Sequence, residues 1–271
     1  MPNWVRNRLV AMGTAEQIRD FGDRTTTKAV GSPRTIDFNK IIPAPPIYDR
    51  DLFDCEEDIV RVTAHMLLSG KSTSKLENYD TLLQDAASYL NCSAGDLILP
   101  PTAYKTLRRK LLQYQYHNGE MLAKNAYDVR NLGTQLLVAY HTYNTCDWHE
   151  WHCKYWGTKW NAVDCNISKS CNHGYDITTV SMTFDTASCE PTEVYYRIFQ
   201  MFPDMQFDIV YANEEIGIGV GTITYDGYEA RSFHYDNDSS LAMINAISLW
   251  DLWDYYEFDK ETKQWIYNGE E

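Results

Sequence analysis

The stretch Arg6-Asn7-Arg8-Leu9-Val10-Ala11-Met12-Gly13, followed at once by Thr14, decides the fold class. Its alternation puts Asn7, Leu9 and Ala11 on one side and Arg8, Val10 and Met12 on the other, which is the period of a strand. Thr14 then supplies a helix N-cap, Glu16 an acid in the first turn, and Ile18 and Phe21 an apolar pair at i, i+3. The same grammar returns later in the chain. Ile177 to Phe184 alternates, Pro191 to Met201 reads as a helix with proline in its first turn, and Gln206 to Tyr211 reads as a strand. Gly217 to Tyr225 reads as another strand, turned by Asp226-Gly227 into a returning strand from Tyr228 to Tyr235.

Between these blocks the texture changes. Thr25 to Arg34 is polar and loop-like, and Thr35 to Ile42 reads as a strand stopped by Pro43-Ala44-Pro45-Pro46. From Asp51 to Tyr143 apolar residues recur at helical spacing: Ile59, Val62, Met66 and Leu67, then Leu82, Leu83, Ala86, Ala87 and Leu90. Leu107, Leu111 and Leu112, and then Val129, Leu132, Leu136 and Leu137, continue the pattern. Asp238 or Ser239 caps a last helix, from Leu241 to about Tyr256. This order predicts an α+β protein: an antiparallel sheet with helices on one face, plus a large helical insertion. The expected division is a discontinuous core (1–50 and 144–237), an insertion (51–143) and an acidic, aromatic C-terminal helix and tail (238–271).

Charge is unevenly distributed along the 271 residues. The 38 acidic and 24 basic side chains give a net charge of −14. From Asp204 onward there are fifteen acids against Arg231, Lys260 and Lys263, so the C-terminal quarter carries −12 and the rest is nearly neutral. A general phosphate-backbone binder needs clustered Lys and Arg and is disfavoured. No window approaches the roughly 18 consecutive apolar residues that span a bilayer. Nothing after Met1-Pro2-Asn3-Trp4 resembles a secretory signal, so a cytoplasmic protein with no membrane partner is expected. Seven cysteines, an odd number, fit reduced thiols in that compartment.

Several fragments resemble one family. They are Met1-Pro2-Asn3-Trp4 with Asn7-Arg8-Leu9, Phe38-Asn39-Lys40-Ile41-Ile42-Pro43, and Trp156-Gly157-Thr158-Lys159-Trp160-Asn161-Ala162. Phe184-Asp185-Thr186-Ala187, and Met201-Phe202-Pro203-Asp204 leading to Tyr211-Ala212-Asn213-Glu214-Glu215, complete the set. Together they resemble the Api92-like (YubB-like) proteins of bacteriophages and conjugative plasmids, most specifically in the motif Trp156, Gly157, Thr158, Lys159 and Trp160. The resemblance implies a ferredoxin-like core, a mobile-element origin and the cytoplasm of a bacterial host. It implies no activity. Val5 stands where the family commonly has a cysteine.

Four constellations bear on chemistry. Cys146 and His149, with Cys171 and His173, are the low-ranked candidates for a zinc site; their spacing is irregular, and no metal is expected. Trp148, Trp151, Tyr155, Trp156 and Trp160 form the densest aromatic cluster. It reads as core for Trp156 and Trp160, or as a stacking platform for bases. Lys105, Arg108, Arg109 and Lys110 make one basic helix face. Gly217-Ile218-Gly219-Val220-Gly221 lacks the partners of a phosphate loop, and no cofactor is expected. No catalytic motif is present. The residues and the resemblance therefore point to a non-catalytic accessory protein that binds a host protein as a counter-defence inhibitor. Its acidic, aromatic surface is expected at Trp250, Asp251, Trp253, Asp254 and Glu257. The first rival is a single-strand nucleic-acid binder using Lys105, Arg108, Arg109, Lys110, Trp148 and Trp151. The second is a zinc-dependent or other enzyme.

Overall fold

The computed structural model describes residues 3–28, 33–49, 55–70, 78–115, 120–172 and 177–269, without the side chains of residues 49, 171 and 172. In chain order it contains β1 (Trp4–Gly13), α1 (Ala15–Thr25), β2 (Thr26–Lys28), β3 (Arg34–Ile36), α2 (Phe38–Ile41), α3 (Glu56–Ser69) and α4 (Tyr79–Tyr89). Next come α5 (Pro101–Gln113), α6 (Ala126–Tyr143), α7 (Trp148–Tyr155), β4 (Val163–Asn172), β5 (Ile177–Ala187), α8 (Thr192–Met201) and β6 (Gln206–Asn213). The last elements are β7 (Gly221–Tyr225), β8 (Ala230–His234), α9 (Ser240–Trp250), β9 (Tyr256–Asp259) and β10 (Gln264–Tyr267). The chain divides into two compact units, Met1–Pro43 with His152–Glu271, and Ala44–Trp151.

The first unit is an α+β structure built on one antiparallel sheet in the order β4-β5-β1-β6-β7-β8. β5 and β6 flank β1 on either side and run parallel to each other, so the link between them has to cross over. Helix α8 makes that crossing. The Thr14 capping box starts α1: its hydroxyl accepts from the Gln17 N–H while the Gln17 side chain accepts from the Thr14 N–H. Register then sorts the faces. Leu9 opposes Met182 and Ile209, and Ala11 opposes Val180 and Phe207. Phe207 in turn packs against Phe21 of α1 and Phe199 of α8.

Asn7 lies in the middle of this buried face and is fully enclosed. Its amide donates to the Val5 carbonyl and to Thr186 Oγ1, and its own oxygen accepts from the Tyr195 hydroxyl at 2.7 Å. A buried carboxamide is costly without partners, and this one ties β1 to β5 and α8. Burial also pushes the Tyr195 phenol well above its ordinary pKa, so it remains a donor.

The opposite face is covered in part as well. Ala212 opposes Arg6 in the register, and it forms a second small core with Val220, Ala242, Ala246 and Leu249, the last three from α9. Helices therefore pack on both faces of the sheet, contrary to the single covered face predicted. The reason is that β6 buries Ala212 on the outward side of its alternation as well as Phe207, Ile209 and Tyr211 on the other.

Other local expectations change with it. Thr35 to Ile42 is not one strand, because the Asp37 side chain accepts from the Asn39 N–H and caps the turn α2. Thr26 to Lys28 pairs with Arg34 to Ile36 in a small hairpin where a loop was expected. Strand β4 had no alternating signal and forms by pairing with β5. Gly217 and Gly219 have left-handed φ values of 92° and 57° and belong to turns, so β7 begins only at Gly221. There a Cβ would collide with the Tyr211 hydroxyl.

The second unit is helical. α3 buries Ile59, Val60, Val62, Thr63, Ala64 and Leu67, and α6 buries Val129, Leu132, Gly133, Leu136 and Leu137. Gly133 lets the two helices close up, since a Cβ there would overlap the Thr63 side chain. Asn144 ends α6 in the left-handed conformation.

Replacing Asn7 with Ala strands the Tyr195 hydroxyl in the core and removes a donor from Thr186, whose hydroxyl keeps its bond to the Cys189 carbonyl, and should cost about 2–3 kcal/mol. Tyr195→Phe removes one bond and should cost about 1 kcal/mol. Urea denaturation of both variants checks the order, and equal small losses would remove Asn7 from its central role.

Candidate interaction surface

The acidic C-terminal residues sit on a structure the helical pattern did not predict. α9 stops at Trp250 because Asp251 adopts the left-handed conformation (φ 55°, ψ 49°). The N–H groups of Asp251 and Leu252 both return to the Ile247 carbonyl, and these bonds satisfy the helix end. Asp tolerates this conformation better than most side chains, so Asp251 was the readable stop signal. The chain then forms the β9–β10 hairpin, closed by Asp259. Its carboxylate accepts from the Thr262 hydroxyl and the Glu261 N–H, and these bonds hold it below the ordinary carboxylate range.

Pairing of Tyr256 with Tyr267 and Phe258 with Trp265 gives the hairpin one aromatic face. Trp253 adds an edge contact to Trp265 at 5.9 Å, and Tyr255 stacks near Tyr267. The Trp265 indole N–H is buried with no acceptor among the described residues. The aromatic set is only half covered: Trp253 is 46% exposed and Tyr267 53%. The same segment of chain carries Asp251, Asp254, Glu257, Asp259 and Glu261 against Lys260 and Lys263. A cavity of about 450 Å3 lies against the hairpin, with Glu257, Phe258, Asp259, Lys260, Ile266 and Asn268 as its walls.

Trp250 has a different role from its neighbours. Its ring lies 4.1 Å beneath the Arg6 guanidinium, and its indole N–H donates to the Ala212 carbonyl. Arg6 makes two 2.9 Å bonds to Asp185, which raise its pKa, so a cation is held over the indole face. Trp250 thus anchors the C-terminal segment to the sheet. The exposed residues of the expected surface are Asp251, Trp253, Asp254 and Glu257, and Tyr255, Phe258, Ile266 and Tyr267 join them. Tyr255 was missed because the helical period was carried past Asp251, and the other three because no hairpin was read in the tail that follows.

The residues of the nucleic-acid reading are dispersed in role. Lys105, Arg108, Arg109 and Lys110 all lie on α5, but Lys110 pairs with Asp58 and Arg108 lies over the Tyr104 ring. Trp148 is half-buried. Trp151 is wholly buried among Tyr48 and Tyr143, so it offers no face to a base, and that part of the expectation is corrected.

The Trp156 to Trp160 motif builds structure. Trp156 is buried against Phe38, stacks on His152 at 4.0 Å and donates to the Ile42 carbonyl. Gly157 has φ 80° and passes so close to Glu190 and Thr192 that a Cβ would stand 3.2 Å from their backbone. Thr158 donates to the Ala187 carbonyl, and the Lys159 ammonium lies over Trp160, which itself packs near Trp4.

Of the candidate zinc ligands, Cys146 is buried with its thiol pointed at the Leu136 carbonyl, whereas His149 is exposed. The Cys171 side chain and His173 lie outside the described residues. Among the described residues no three His, Cys, Asp or Glu side chains converge as metal ligands. Burial, with Glu56 and Asp85 nearby, pushes the Cys146 thiol up to about 12.

No family model matches the chain, and none of the curated proteins compared with it matches. Among solved structures, the chain is similar to the crystal structure of a protein api92 from Yersinia pseudotuberculosis. The similarity has 14% identity over 88% of this chain and 100% of that one, with a TM-score of 0.40. Among the described residues no helix is long and apolar enough to cross a membrane.

Trp250→Ala should lower stability by about 3 kcal/mol and accelerate proteolysis in 251–255, because the segment loses its anchor. Limited digestion at matched temperature reads the second effect. In the native protein iodoacetamide should label Cys153, which is exposed, and spare Cys146 until urea unfolds the chain. Peptide mass mapping distinguishes the two.

Proposed function

We propose that this chain is a non-catalytic accessory protein of phage or plasmid origin that inhibits a host defence protein by binding it. The observation that carries this reading is the C-terminal hairpin, where half-exposed Trp253, Tyr255, Phe258 and Tyr267 are interleaved with exposed carboxylates. Monomeric proteins seldom leave such an aromatic set in water, and aromatic residues dominate the hot spots of protein interfaces. The surrounding acids select a basic partner surface and steer the encounter. A site that normally holds nucleic acid has that character, so the hairpin would occupy it by charge complementarity.

The same proposal includes a ferredoxin-like core and a distant Api92-like relationship. The strand order β4-β5-β1-β6, with α8 crossing from β5 to β6 and α1 leaving β1, supports the first. The Trp156 to Ala162 block and Asn7-Arg8-Leu9 support the second.

The test is capture from a lysate of the bacterial host, identification of the retained protein, and titration of that purified protein by calorimetry. Reversing Asp251, Asp254 and Glu257 to Lys should weaken binding at least about a hundredfold, and Trp253→Ala about tenfold or more. Raised salt should weaken the wild-type contact. Capture that is unaffected by all four substitutions would overturn the proposed surface.

A further inference from the structure

The two edges of the six-stranded sheet are built differently. At the β4 edge, β3 lies alongside, the Ile36 N–H reaches Cys165 Sγ, and the β4–β5 register is broken between Val163 and Asn166. Cover and bulging are two of the ways in which a protein blunts a sheet edge. The β8 edge has neither. Its register with β7 is unbroken from Gly221–His234 to Tyr225–Ala230, and no described strand lies beyond it. Residues 231–234 are all exposed, including Phe233 at 58%.

The hydrogen-bond parity shows which backbone groups this edge offers. The Tyr235 N–H donates to the Val220 carbonyl, and the Asp226 N–H to the Glu229 carbonyl. Alternation along an antiparallel ladder then turns Phe233 and Arg231 toward β7. The N–H and C=O groups of Ala230, Ser232 and His234 point away from the sheet.

We infer that β8 pairs with β8 of a second copy of this chain, antiparallel about a two-fold axis at Ser232. That register brings every outward group into use: Ser232 pairs with Ser232, and Ala230 with His234 in both directions. Each of these pairs exchanges both backbone bonds. A shift by two residues in either direction loses one of the three pairs.

The side chains fit the same register. Arg231 faces the second copy's Phe233, and Phe233 faces its Arg231, both in the closely spaced, non-hydrogen-bonded positions where cross-strand contacts are strongest. An arginine over an exposed phenyl ring is a favourable pair, formed twice by symmetry. Charge also favours this edge for self-association. A chain of net charge −14 repels its own copy over most surfaces, but β8 carries no carboxylate, and Arg231 bonds to Glu229 and Asp226 within its own turn. The contact continues each sheet into the other and leaves the acidic hairpin of the proposed function outside the paired strands.

Sedimentation equilibrium of the full chain over a wide concentration range tests the inference. The expected result is a reversible monomer–dimer equilibrium. Ser232→Pro removes only the outward N–H and should weaken the dimer at least about tenfold, with the urea midpoint unchanged, because proline is tolerated on an edge strand. Phe233→Arg should weaken it similarly by placing two cations together. The swap Arg231→Phe with Phe233→Arg keeps both cross-strand pairs and should restore association. Either a chain that stays monomeric up to about 1 mM or a dimer indifferent to Ser232→Pro overturns the pairing. So does a swap variant no better than Phe233→Arg alone.

Discussion

The buried carboxamide of Asn7 is the constraint on which the main sheet depends. Its donors and its acceptor are all engaged, and the partners come from its own strand, from Thr186 on β5 and from Tyr195 on α8. A hydrophobic residue at that place would pack as well but would accept many registers. A carboxamide accepts only the register that satisfies it, because an unpaired polar group in the core costs most of what a few apolar contacts contribute. Placing β1 correctly then places β5 and β6 on either side, and with them the face onto which α1 and α8 close.

The neighbouring residue on the same strand performs the complementary task. Arg6 points to the opposite face, where Asp185 fixes the guanidinium and Trp250 packs beneath it. One strand thus organises both layers by its alternation: amide inward to α8, guanidinium outward to the C-terminal segment. The hairpin that follows is two-stranded and would be marginal alone in water. Its aromatic face and the Trp250 anchor hold it in place, with its acids and several of its aromatics exposed.

Much of the first unit was legible from local pattern. Thr14 as N-cap with Glu16 in the first turn, the alternation of Arg6 to Gly13 and of Ile177 to Phe184, and the Asp226-Gly227 turn each carry their own physical signal. The helical spacing of Ile59, Val62 and Leu67, and of Val129, Leu132 and Leu136, was equally direct. What escaped was set by pairing or by single backbone conformations. β4 (Val163–Asn172) has a mostly polar, exposed sequence and becomes a strand because β5 offers an unpaired edge. Phe38 to Ile41 turns helical because the Asp37 carboxylate caps it, and α9 ends because one residue, Asp251, turns left-handed.

The amino-acid sequence by itself determined the mixed α+β character, the helical stretch after Asp51, the concentration of negative charge after Asp204, and the aromatic residues that travel with it. These follow from composition and from periods of a few residues, which neighbouring side chains impose through sterics and burial. Tertiary structure alone decided which aromatics face water. Trp151, Trp156 and Trp250 have the same side chain as Trp253, yet three are held by tyrosine or phenylalanine packing, an indole hydrogen bond or a guanidinium, and the fourth stands half in solvent. Burial depends on what the rest of the chain brings to a residue from far away in sequence, and no local pattern contains that information.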